Sequence, residues 1–139
     1  MIWGHLFASS KPDLRTPYWR RTLTGRTLVV ATQTRAEVLH GLYSSDWGQA
    51  RLSRALARLD DTNTVPVDEG VIQTYAQLHV ARKAQGHGLH AKELRGDLWV
   101  AATAIYISGT LLTLDKVFRN APGLALFPPD PPPDGPATG

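Results

Sequence analysis

The sequence predicts an α/β fold in which a short parallel sheet is flanked by helices on both faces, giving three layers. Two observations carry this. Short runs at 27–32, 64–67, 110–113 and 124–126 are separated by stretches with helical periodicity, in the order β-α-α-β-α-α-β-(α)-β. The runs are apolar rather than alternating, as strands buried on both faces are.

Each element has a local reason. Residues 12–23 read as a helix, with Asp13 near the start and Gly25 just past the end. Thr27-Leu28-Val29-Val30-Ala31-Thr32 is β-branched and apolar, a strand. Thr34 opens a helix striped with Ala36, Val38, Leu39, Leu42 and Tyr43. A second helix runs from about Trp47 to Leu59, with Leu52, Ala55, Leu56 and Leu59 inward and Arg51, Arg54 and Arg58 outward. Thr64-Val65-Pro66-Val67 is a short strand, and Asp68 caps a long helix ending near Gly86. Gly96-Asp97 opens an apolar helix closed by Gly109, and Thr110 to Thr113 forms the next strand.

Composition bounds the function. The 139 residues contain no cysteine, which excludes disulfide scaffolds, thiol nucleophiles and cysteine-held zinc. The longest apolar run, Trp99 to Ile107, is far shorter than the roughly 18 residues of a membrane span. All 15 basic residues and ten of the 12 acids precede Phe127, so residues 1–126 carry +5. Six of the ten prolines lie after Phe127. Residues 127–139 are therefore expected to be a disordered tail, and residues 1–126 the folding unit. The basic balance permits an anionic partner such as nucleic acid.

In open parallel sheets, ligands bind beyond the carboxyl ends of the strands. Glu37 follows the strand 27–32, Asp115 follows the strand 110–113, and Asp97 starts the apolar helix leading into that strand. Carboxylates gathered this way suit Mg²⁺ or Mn²⁺. Each acid also has a local explanation. Thr34-Arg35-Ala36-Glu37 fits a capping box, Asp97 a helix cap and Asp115 a turn. The Gly-rich His87-Gly88-Leu89-His90 reads as a loop rather than a zinc site, and Trp47 and Trp99 as core residues.

Together the segments resemble a known family. Arg95-Gly96-Asp97-Leu98-Trp99-Val100-Ala101-Ala102-Thr103-Ala104, then Leu111-Leu112-Thr113-Leu114-Asp115-Lys116-Val117-Phe118, then Pro122-Gly123-Leu124, are similar to the C-terminal half of PIN domains, VapC-type toxins above all. Thr34 to Gly41 resembles the family's Ala-Glu-Leu segment, and Gly4-His5-Leu6-Phe7 the piece after its first motif.

The resemblance implies a PIN-like fold and an Mg²⁺- or Mn²⁺-dependent endoribonuclease toxin. Glu37, Asp97 and Asp115 take the family's second, third and fourth acidic positions, as metal ligands and catalytic groups. Thr113, Arg95 and Lys116 would position substrate. The implied partners are RNA, a cognate VapB-like antitoxin and a second copy of the chain, in the cytoplasm and without membrane contact. The family's first acid ends an N-terminal strand in an Asp-Thr-Asn/Ser motif, whereas this sequence opens at Met1-Ile2-Trp3-Gly4. The first strand and first Asp are thus expected to be missing, and Asp61-Thr62-Asn63 is read as a turn, not a substitute. The alternative function is a catalytically impaired PIN-domain remnant that only binds an antitoxin-like partner.

Overall fold

Residues 14–86, 95–128 and 130–133 are described by the structure, a computed structural model. They form α1 (Thr16–Leu23), β1 (Val29–Ala31), α2 (Thr32–Tyr43), α3 (Gln49–Asp60), β2 (Asn63–Val65), α4 (Glu69–Gln85), α5 (Arg95–Tyr106), β3 (Thr110–Leu111), a 3-10 turn (Lys116–Phe118) and β4 (Ala125–Leu126).

Local chemistry sets the boundaries. Asp68 caps α4 by accepting from the Val71 amide at 3.0 Å, and Gly86 closes it at φ +66°. The strand expected at 64–67 forms at Asn63–Val65 instead, ending before Pro66, which has no amide to give a ladder. The helix expected to open at Thr34 opens at Thr32, straight off β1 with Ala31 as its N-cap. Thr32 uses its hydroxyl across the sheet, donating to the Val65 carbonyl at 3.0 Å. Asp97 lies in the first turn of α5, inside the helix rather than before it.

The strands form two parallel pairs. β1 pairs with β2 (Val29 with Asn63, Val30 with Thr64, Ala31 with Val65), and β3 pairs with β4 (Thr110 with Ala125, Leu111 with Leu126). Among the described residues no strand joins the two pairs. The core is divided accordingly. Val38, Leu42, Ala55 and Leu59 form one buried cluster, with Val30 of β1 packed against it. Leu78, Leu98, Ala101, Ala102, Phe118 and Ala121 form another, with Leu111 and Leu126 packed against it. Fully buried Trp19 gathers Tyr18, Leu23, Leu112 and Leu114 into a third.

Helix α5 links the halves, packing on α2, α4, β1 and β3. Its alanines allow close approach to α4, and Gly70 leaves the space that the Tyr106 ring fills. Tyr75 of α4 stacks on half-buried Trp99, ring centroids 3.9 Å apart and planes at 17°. Trp47 packs against the α2–α3 cluster, with the Arg51 guanidinium 3.6 Å above its ring. Past residue 126, the Phe127 amide donates to the Leu111 carbonyl at 2.9 Å. Asp130 meets Arg15 at 2.8 Å, and the Tyr18 hydroxyl donates to the Pro128 carbonyl at 3.3 Å. Phe127 is thus tied to β3, and Pro128 and Asp130 to the start of α1.

Candidate metal site between the strand pairs

A cleft of about 1020 Å³ separates β1 from β3. Both strands line it, and α5 contributes Asp97, Val100, Thr103 and Ala104, residues recurring at helical spacing on one face, with Ile107 just past its end. Glu37, Asp97 and Asp115 all line it, as do Thr34 and Thr113.

Each acid arrives by a different route. Glu37 is exposed on the second turn of α2, carried there because that helix starts at the end of β1. With the helix start at Thr32, Glu37 is too far along for the capping box expected with Thr34, and that local explanation falls away. Asp97 is half-buried. Gly96 beside it lets the α5 N-terminus approach α2, since a Cβ there would stand 3.2 Å from the Gln33 amide nitrogen. Asp115 follows β3 and accepts from the Val117 amide at 2.9 Å, capping the 3-10 turn, so its local role is real. Thr113 fixes the same turn, its hydroxyl oxygen accepting from the Asp115 amide at 3.1 Å.

The three carboxylates share one electrostatic environment. Partial burial raises the Asp97 carboxyl above its ordinary value, and repulsion from Asp115 and then Glu37 raises it further.

An oxygen-only donor set of this kind fits a hard divalent cation that keeps several waters. A cation would remove the repulsion that burdens Asp97. Among the described residues no three His, Asp or Glu side chains stand close enough to hold an ion as a ready-made cluster. The donor chemistry fits, while a tight protein cage is not formed.

Other expected residues fall differently. Arg95, the exposed first residue of α5, and exposed Lys116 are not among the residues lining the cleft. The cation that does line it is Arg26, whose Nε donates to the Thr22 carbonyl at 3.0 Å and whose guanidinium lies 4.8 Å from the Phe127 ring centre. No motif marks Arg26; its position immediately after Gly25, at the turn entering β1, is the one available signal. Thr62 donates its hydroxyl to the Arg58 carbonyl at 3.0 Å and Asp61 closes α3, as expected of turn residues, whereas Asn63 is the first residue of β2. His87, His90 and Gly4 to Phe7 lie outside the described residues. Among those described, no helix is long and apolar enough to cross a membrane.

The PIN domain family model matches residues 2–124. No curated protein matches the chain. Solved structures do. VapBC2 from Rickettsia felis, bound to a promoter DNA fragment, is 19% identical with a TM-score of 0.72, covering 91% of this chain and 92% of that one. FitAcB from Neisseria gonorrhoeae is 26% identical with a TM-score of 0.70, covering 87% and 88%. VapBC-1 from nontypeable Haemophilus influenzae is 21% identical with a TM-score of 0.65, covering 85% and 86%. The chain belongs to the PIN domain family, and its fold is similar to that of the VapBC and FitAB proteins.

Proposed function

We propose that this chain is a VapC-like toxin: an endoribonuclease that uses Mg²⁺ or Mn²⁺ and is neutralised by a VapB-like antitoxin. The observation that carries the reading is the meeting of Glu37, Asp97 and Asp115 at one cleft, where Asp97 is raised by burial and by the other two charges. Carboxylates brought to one cleft repel one another in the absence of a cation, and perturbed carboxylates in a cleft mark functional sites. The similar structures from Rickettsia, Neisseria and Haemophilus are VapBC or FitAB proteins, and another similar one, from Mycobacterium tuberculosis, is described as a member of the VapBC family of toxin–antitoxin systems.

The roles follow from position. Asp97, on the helical floor, is the central ligand, and Glu37 and Asp115 approach from the two strand ends. Thr113 holds the Asp115 turn in place, so it acts as a positioning residue. Arg26 lines the cleft and supplies positive charge toward a phosphodiester; Arg95 and Lys116 serve at its rim. A bound Mg²⁺ would acidify a water and offset phosphate charge. The reading brings with it an RNA substrate, a homodimer and a cytoplasmic place of action.

Purified chain should cut single-stranded RNA in Mg²⁺ or Mn²⁺ and stop in EDTA. Cleavage that survives EDTA refutes the reading. A second reading, an impaired remnant that only binds a partner, is favoured by one observation: no three-ligand cluster closes up among the described residues. Metal-dependent turnover by the chain would eliminate it.

A further inference from the structure

The metal reading leaves one buried cation unused. Arg82 lies on α4 with no exposed surface, yet no carboxylate pairs with it among the described residues. Its guanidinium donates to the Asn120 carbonyl at 3.2 Å and to Gln85 Oε1 at 2.7 Å. Burying a charge is costly, and an apolar side chain of similar volume often serves stability as well or better. What an apolar side chain cannot do is hold a carbonyl in place. The carbonyl held here closes a short, closely tied segment. Asp115 caps the 3-10 turn Lys116–Phe118 by accepting from the Val117 amide at 2.9 Å. The Arg119 amide donates to the Lys116 carbonyl at 3.1 Å, and the Ala121 amide to the Phe118 carbonyl at 3.3 Å. Between them Asn120 adopts φ +61°, a left-handed conformation that surrounding contacts must hold. Phe118 and Ala121 are buried in the cluster that includes Leu78, one turn of α4 from Arg82.

We infer that Arg82 is a positioning residue for Asp115, an inference that rests on Asp115 being a metal ligand. By holding the Asn120 carbonyl, Arg82 fixes the exit of the turn whose entrance is the Asp115 carboxylate. Arg82 does not line the cleft, so it reaches the site only through residues 116–120. Thr113 secures the same carboxylate from the other side, its hydroxyl oxygen accepting from the Asp115 amide at 3.1 Å. Asp115 is thus held by Thr113 before it and by α4 after it. Groups that orient a metal's ligands set its affinity as the ligands do, because a carboxylate that wanders must be ordered again on binding.

The test compares the full chain with Arg82→Met and Arg82→Lys, without using cleavage. Mn²⁺ binding is read from the electron paramagnetic resonance signal of the free ion, and amide hydrogen exchange is followed in EDTA. Arg82→Met keeps the volume and loses the donors; it should weaken Mn²⁺ binding about tenfold. In EDTA it should speed exchange of the Val117 amide about tenfold relative to that of Leu42, which lies in the other core cluster, with a urea midpoint no lower than the parent's. Arg82→Lys, which keeps one donor in place of the fork, should show both changes at about threefold, and it carries the test if the methionine variant does not fold. Unchanged Mn²⁺ affinity, or unchanged Val117 exchange, overturns the inference and leaves the metal reading standing. So does equal acceleration at Val117 and Leu42, which is loss of global stability. A parent chain that binds no Mn²⁺ overturns the metal reading, and the inference with it.

Discussion

Leu98→Ala probes the helix on which the site rests. Leu98 is completely buried, one residue from Asp97, and contributes to the cluster that packs α5 on α4 and the 3-10 turn. Truncation removes the transfer free energy of the lost methyl groups and leaves a cavity, a combined cost of about 3 kcal/mol in a site that cannot collapse. With an unfolding entropy of about 2.1 cal/mol/K per residue, some 120 folded residues give about 0.25 kcal/mol/K. The expected fall in Tm is therefore about 12 °C, read by circular dichroism or calorimetry. Leu14→Ala is the control, since Leu14 is 98% exposed and its loss should move Tm by less than about 2 °C. If both variants melt alike, α5 is not the buried spine of the molecule, and the placement of Asp97 at the cleft floor loses its support.

Further outcomes follow from the same packing. The folded Asp97 carboxyl is raised, so above the ordinary carboxylate range the native state binds more protons than the unfolded chain and stability falls as pH rises. Asp97→Asn should therefore melt higher than the parent at pH 7 without metal, the gap closing as pH drops through the acid range; added Mg²⁺ should raise the Tm of the parent only. Arg82 is fully buried on α4, its guanidinium donating to the Asn120 carbonyl at 3.2 Å and to Gln85 Oε1 at 2.7 Å, while Nε has no partner among the described residues. Arg82→Met should be neutral or stabilising in urea unfolding, whereas Arg82→Ala should cost about 3 kcal/mol through its cavity. Gly86→Ala should cost about 1 kcal/mol in the same assay, because the left-handed C-cap of α4 then bears a Cβ.

The local patterns were legible because local physics decides them. Val29-Val30-Ala31 is β-branched and apolar and is a strand; Ala55 and Leu59 fall on the predicted inward stripe of α3 and are buried. Glu37, Asp97 and Asp115 line one cleft because each lies after a strand or at a helix start, placements a sequence reveals. What escaped is non-local. Thr32 rather than Thr34 opens α2 because its hydroxyl finds Val65, 33 residues away. Arg82 continues the stripe of Val71, Tyr75 and Leu78, and the carbonyl that receives it belongs to Asn120, 38 residues away. Arg26 joins the cleft through strand placement that no local motif encodes. The division of the sheet into two pairs is a property of pairing, and the apolar runs look the same whether an edge is filled or open.

The most direct measurement combines metal, site residue and product in one assay. Purified parent and Asp97→Asn chains, both shown folded by thermal melting, are incubated with single-stranded RNA in Mg²⁺, Mn²⁺ or EDTA. Cleavage by the parent in either metal is expected, with loss of more than about 100-fold in EDTA and in Asp97→Asn. Cleavage by Asp97→Asn at the parental rate, or none by the parent in either metal, would contradict the assignment of the three-carboxylate cleft as a nuclease centre.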